Sequence, residues 1–84
     1  MYTLKFSKQS LHFLKKLNSS NRIRILNNIK KLQEDYTQLP FKKLQGEKDK
    51  FRIRVGNYRI IYSVNNHELL ISVIKIGLRK NIYD

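Results

Sequence analysis

Apolar positions along this chain change period twice, from two to about 3.6 and back to two, and the changes mark out its elements. Residues 2–6 alternate and predict a short strand. Ser7 suits a helix N-cap, and Ser10, Phe13, Leu14 and Leu17 then recur on one helical face as far as about Leu17. Residues 18–21 read as a polar connector in which Ser20 or Asn21 can cap the next helix. That helix is predicted to reach about Tyr36 on a stripe of Ile25, Leu26, Ile29, Leu32 and Tyr36. Its other face, with Arg24, Asn27, Asn28 and Lys31, reads as solvated surface. Two short helices with a short connector predict an αα-hairpin. Residues 37–50, with Pro40, Gly46 and mixed charge, read as a loop.

From Phe51 to Tyr62 the period returns to two, on both sides of a Gly56-Asn57 pair, which is the signature of a two-residue β-hairpin. The predicted register sets Val55 against Tyr58, Arg54 against Arg59, Ile53 against Ile60, Arg52 against Ile61 and Phe51 against Tyr62. One face is then a core of Phe51, Ile53, Val55, Tyr58, Ile60 and Tyr62, and the other gathers Arg52, Arg54 and Arg59. Residues 65–67 mark a second turn, expected to place Val64 opposite Leu69 and Tyr62 opposite Ile71. The apolar run 69–76 predicts a central strand covered on both faces, broken by Gly77. The expected architecture is a single α+β domain over residues 1–84. It has an N-terminal strand, an αα-hairpin and a three-stranded antiparallel meander, with the helices on one sheet face.

Charge changes the picture most. Across 84 residues the net charge is +12, with +8 over residues 1–33 and +6 over residues 50–80. Such a field attracts polyanions, so nucleic acid or a ribonucleoprotein is the leading partner and an acidic protein the next. The absence of cysteine excludes disulfides and thiolate metal sites and fits a cytoplasmic protein. No export signal is expected, and no stretch is apolar for long enough to span a bilayer, so no membrane partner is expected.

Candidate chemistry is narrow. His12 and His67 have no ligand-spaced neighbours, no nucleophile–base constellation is evident, and no metal or cofactor is expected. Glu47 and Asp49 read as solvating loop charges, and Glu68 beside His67 as a turn. What remains is Arg52, Arg54, Arg59, Arg79, Lys50, Lys75, Lys80 and several tyrosines. Guanidinium groups hold phosphate bidentately and stabilise phosphorane charge, but they hold their protons too tightly for acid–base work near pH 7. Alternating basic residues also line ordinary solvent-exposed sheet faces, and Arg against Arg costs about 0.2–1 kcal/mol unless an anion lies between them.

The hairpin sequence 51–62, the Leu44-Gln45-Gly46 approach to it, the Ile76-Gly77-Leu78-Arg79 segment and Ile82-Tyr83 together resemble the RelE toxins of the RelE/ParE superfamily. The resemblance covers nearly the whole chain. It implies the toxin of a type II toxin–antitoxin pair, a ribosome-dependent endoribonuclease that cuts A-site mRNA through 2′-hydroxyl attack and is silenced by a cognate antitoxin. By the same resemblance Arg52 and Arg54 fall at the first basic pair of the site. Arg59 falls at the residue on the scissile phosphate, Arg79 at the residue beside the leaving group, and Tyr83 at the tyrosine that orients the nucleotide. Lys50, Lys75 and Lys80 would add RNA contacts. Leu78 stands where many relatives carry histidine. Two alternatives are a ParE-like poison of DNA gyrase and a non-catalytic member that binds RNA or antitoxin only.

Overall fold

The computed structural model describes residues 1–46 and 48–80. Its elements run β1 (Thr3–Phe6), α1 (Lys8–Lys16), α2 (Ser19–Glu34), β2 (Lys42–Lys43), β3 (Lys50–Val55), β4 (Tyr58–Asn65) and β5 (Leu70–Leu78). The strands form one sheet in the order β1-β5-β4-β3-β2, with β1 parallel to β5 and the other pairs antiparallel. The α+β architecture expected from the sequence is therefore present.

Ser7 caps α1 as expected, its hydroxyl accepting from the Ser10 N–H at 3.1 Å. The cap of α2 differs from expectation. Asn18, not Ser20 or Asn21, is extended and accepts from the Asn21 N–H at 2.9 Å, so the connector is shorter than the polar run suggested. The far end of α2 is also shorter. Asp35 leaves the helical region at φ −157, and its carboxylate accepts from both the N–H and hydroxyl of Thr37. Those two bonds hold the Asp35 carboxyl below its ordinary pKa. Tyr36 consequently lies outside the helix and packs its ring against Tyr2 and Phe51 instead.

The β3–β4 hairpin takes the predicted register at every pair. Gly56 adopts φ +58 while Asn57 does not turn positive, the pattern of a type II′ turn with glycine at its first central position. Segment 37–50 is not all loop. Lys42 and Lys43 pair with Arg52 and Phe51, adding a fifth strand too short to show a period, and Lys50 already belongs to β3.

The β4–β5 register is two residues from the expected one: Val64 faces Ile71 and Tyr62 faces Val73. The cause is the turn itself. Asn65 bonds the Glu68 N–H at 3.0 Å and the Glu68 carboxylate at 2.8 Å, and Leu69 turns to φ 53, so a four-residue loop precedes β5. A two-residue shift preserves which side chains face the core. Gly77 does not end β5 but pairs with Arg59 inside it. A bulge between Ile61/Tyr62 and their partners leaves Ile74 as the extra residue. It switches the parity of β5, so Ile71, Val73 and Ile76 all reach the core.

Both helices lie on one face of the sheet. Ile25, Ile29 and Leu32 of α2 are fully buried against Ile53, Ile60, Tyr62, Ile71 and Ile76. Each such side chain contributes about 1.5–3 kcal/mol through burial. Among the described residues the opposite face carries the small cluster of Leu44, Ile61 and Ile74, so there β5 is covered fully on one side and partly on the other. That thinly covered face holds the candidate site.

Candidate functional site

Strand register arranges the basic residues in rows across the helix-free face. One row runs Lys42, Arg52, Ile61, Lys75, and the next runs Arg54, Arg59, Gly77. Lys50 lies in a third row with Ser63 and Ser72. Arg52 is buried at 6% exposure, Arg59 is half-buried and Arg54 is exposed, so the three guanidiniums sit at graded depth.

Arg54 and Arg59 are the closest pair by construction. Leu44 N–H donates to the Lys50 carbonyl, so Lys50, Arg52 and Arg54 direct their backbone groups toward β2 rather than β4. Arg54 and Arg59 are then a non-hydrogen-bonded pair, the kind whose Cα atoms stand about 4.5 Å apart with side chains close together. Gly77 adds no side chain to this row.

Arg79 joins the site through its backbone. Its N–H donates to the Asn57 carbonyl at 2.9 Å, fastening the chain after β5 to the hairpin turn. Asn57, Arg59, Leu78, Arg79 and Lys80 consequently line one depression of about 550 Å³. The two segments singled out in the sequence thus meet at the hairpin tip. Lys75 lies one row away beside Ile61, exposed. Tyr83, with Ile82, lies outside the described residues, as does Glu47.

Tyr58 and Tyr62 fall on the core side as expected. Tyr58 packs edge-on against Phe13 and accepts from the Asn21 carboxamide at 3.1 Å, anchoring the start of α2 to the hairpin. Tyr62 is fully buried, and burial followed by nearby Tyr36 raises its pKa well above the ordinary tyrosine value. His67 and Glu68 sit at the far end of β4. At about 3.3 Å per residue they are roughly 20 Å from Arg59, too distant to exchange protons at the arginine rows.

Three side chains escaped the sequence reading. Arg24, placed on a solvated helix face, lays its guanidinium over Gly56, where a built Cβ would lie 2.7 Å from Nη1. The glycine was visible, but its neighbour was not. Lys42 enters the site through a two-residue strand without periodicity. Phe41, in the supposed loop, borders a second cleft with Asn28, Lys42, Arg52 and Arg54.

Residues 4–83 match the family model described as ParE toxin of type II toxin-antitoxin system, parDE. A RelE-like toxin protein of Escherichia coli is 31% identical over 81 residues, spanning 94% of this chain and 84% of that protein. The toxin in the RelB–RelE antitoxin–toxin complex of Methanococcus jannaschii superposes with a TM-score of 0.75 at 34% identity, covering 95% of both chains. The archaeal RelE–RelB complex of Pyrococcus horikoshii gives 0.79 at 28% identity, over 96% of this chain and 98% of that one.

Proposed function

The chain belongs to the ParE toxin family of type II toxin–antitoxin systems and is a RelE-type toxin within it, and from that premise we propose that it is a ribosome-dependent mRNA endonuclease. The observation that carries this reading is the Arg54–Arg59 pair, side by side across β3 and β4, with Arg79 fastened beside it. Two facing guanidiniums repel one another across the hairpin, and a phosphate between them would turn that repulsion into a clamp.

In this reading the RNA 2′-oxygen attacks the adjacent phosphorus, the P–O5′ bond breaks, the 2′-proton departs and the 5′-oxygen gains a proton. The products are a 2′,3′-cyclic phosphate and a 5′-hydroxyl. Arg54 and Arg59 neutralise the phosphorane, Arg79 stabilises charge on the leaving oxygen, and Arg52 fixes the strand from below. Lys50, Lys75 and Lys80 hold neighbouring phosphates, and Tyr83 orients the nucleotide. Proton transfer is the weak element, because the arginines hold their protons and the histidines lie elsewhere. Alignment of the hydroxyl, worth up to about 7–11 kcal/mol, has to come from the ribosome.

An antitoxin is the second partner. A +12 domain with an open basic face fits an acidic or amphipathic segment that covers and neutralises the arginines. The RelB–RelE complexes among its relatives support that assignment.

Mapping cuts in mRNA with and without translating ribosomes tests the reading. Cuts within codons, cyclic-phosphate ends and dependence on ribosomes are expected. Equal cutting of naked RNA would overturn ribosome dependence, and gyrase inhibition with RNA left intact would move the protein to the ParE type of action.

A further inference from the structure

Beyond Arg52 the outer edge of β3 has no partner strand, because β2 pairs only with Phe51 and Arg52. A cleft of about 270 Å³ opens there between α2, the 39–42 segment and β3. That is smaller than the roughly 300–1,000 Å³ of a typical small-molecule site and gives room for one flat ring. Lys42, Arg52 and Arg54 supply positive charge, Asn28 an amide, and Phe41 an aromatic surface. Among the described residues no acidic side chain lines it.

Phe41 is unusual for its position. It is 41% exposed, yet Phe51 meets it edge-on at 5.4 Å and Tyr36 lies at 6.5 Å. It is the solvent-side end of an aromatic series that continues through Phe51 to the fully buried Tyr62. A ring braced from behind and open in front is a stacking plate whose ordering is already complete before a ligand arrives. The strand alternation also turns the Arg54 N–H and C=O outward along this edge, giving a donor and an acceptor beside the ring.

We infer that this cleft is a nucleobase subsite, which stacks the base of a nucleotide next to the cleaved linkage on Phe41 and reads its edge with the Arg54 backbone and the Asn28 carboxamide oxygen. The Asn28 Nδ2 donates to the Arg24 carbonyl at 2.8 Å. This deepens the RNA-cleaving reading and rests on it for the identity of the strand. The occupant is RNA rather than an apolar peptide because the cleft is cationic and shares Arg54 with the phosphate row. Arg54 belongs to both, so a strand whose phosphate lies between Arg54 and Arg59 would pass its neighbouring base around the outer edge of β3 into the cleft. Aromatic stacking joined to a basic track is the common means of holding single strands.

The test uses 2′-O-methyl hexanucleotides, which lack the attacking hydroxyl, carrying 2-aminopurine at successive positions and titrated at fixed salt. Quenching confined to one position is expected, with Phe41→Leu weakening binding about tenfold and abolishing that quench, and Phe41→Trp restoring both. Thermal midpoints of both variants separate loss of stacking from loss of folding, and a merely structural Phe41 would not give a position-specific quench. Ribosome-dependent cleavage is measured on the same proteins. If the parent cuts no mRNA but the Phe41-dependent quench persists, the subsite stands and the nuclease reading falls. If the parent cuts while Phe41→Leu matches it in oligonucleotide affinity, quench and codon preference, the subsite falls and the nuclease reading stands. Should Phe41→Leu spare oligonucleotide binding yet weaken capture of the product of the adjacent reading frame, the cleft is a protein-docking surface and the assignment is overturned.

Discussion

In the nuclease reading Arg59 would serve the reaction, while in the free protein it faces the like charge of Arg54 across the hairpin. Arg59→Leu should leave the core side chains of β4 undisturbed. It should shift stability by no more than ~1 kcal/mol, since relief of the repulsion is set against the contacts that Arg59 itself makes. The same change removes a donor aimed at developing charge and should lower ribosome-bound cleavage roughly 10²-fold or more. Thermal midpoints and cleavage rates must be compared together, and a variant destabilised by well over ~1 kcal/mol would make Arg59 structural. Tyr62 presents the opposite case, a core residue whose hydroxyl is buried without a hydrogen-bond partner among the described residues. Tyr62→Phe should be neutral or stabilising by about 1 kcal/mol at pH 7. Because burial raises the folded-state pKa, the unfolded chain ionises first. The stability of the parent should therefore fall as pH climbs past about 10, and the advantage of Tyr62→Phe should widen there. Urea midpoints at pH 7 and 10.5 check this, and a constant gap would mean that the hydroxyl ionises as freely as in the unfolded chain. The arginines were legible as single residues because alternation fixes the face of a side chain. Their depths were not, since Arg52 is buried by neighbours that the sequence does not place beside it.

The β3–β4 hairpin was readable pair by pair because a two-residue turn leaves one register only. Other elements lacked that constraint. The β4–β5 loop admitted several lengths until the Asn65–Glu68 bonds selected one, and the bulge at Ile74 hid the parity of β5 inside an unbroken apolar run. A helix cap was misplaced by a turn because Asn18, Ser20 and Asn21 are all competent cappers and backbone geometry chose among them. The hairpin turn itself makes a prediction. Gly56→Ala would force a side chain into a positive φ and push Arg24 from its position over the turn. The backbone strain is worth about 1–2 kcal/mol, and a domain of this size should lose roughly 4–8 °C of thermal midpoint per kcal/mol. Adding Arg24→Ala should recover only the part due to the displaced guanidinium, and scanning calorimetry of the single and double variants separates the two. A Gly56→Ala protein as stable as the parent would contradict the turn geometry described above.

At the scale of the molecule, charge and topology divide the labour: a single helix layer insulates one side of the sheet, and the other carries strand cations at graded depth. The sign and scale of the charge field were plain from composition, whereas the gathering of Arg52, Arg54, Arg59 and Lys75 on the helix-free face depended on strand pairing between distant segments. The meeting of Arg79 with Asn57, and the pairing of β1 only with β5, have a bearing on timing. A nascent chain that has exposed β1, both helices and the hairpin still has an open sheet, an unpaired first strand and half a site. None of these is completed until β5 leaves the exit tunnel. The basic face is therefore completed last, and an antitoxin already in the cell can meet the protein at the moment that face first forms.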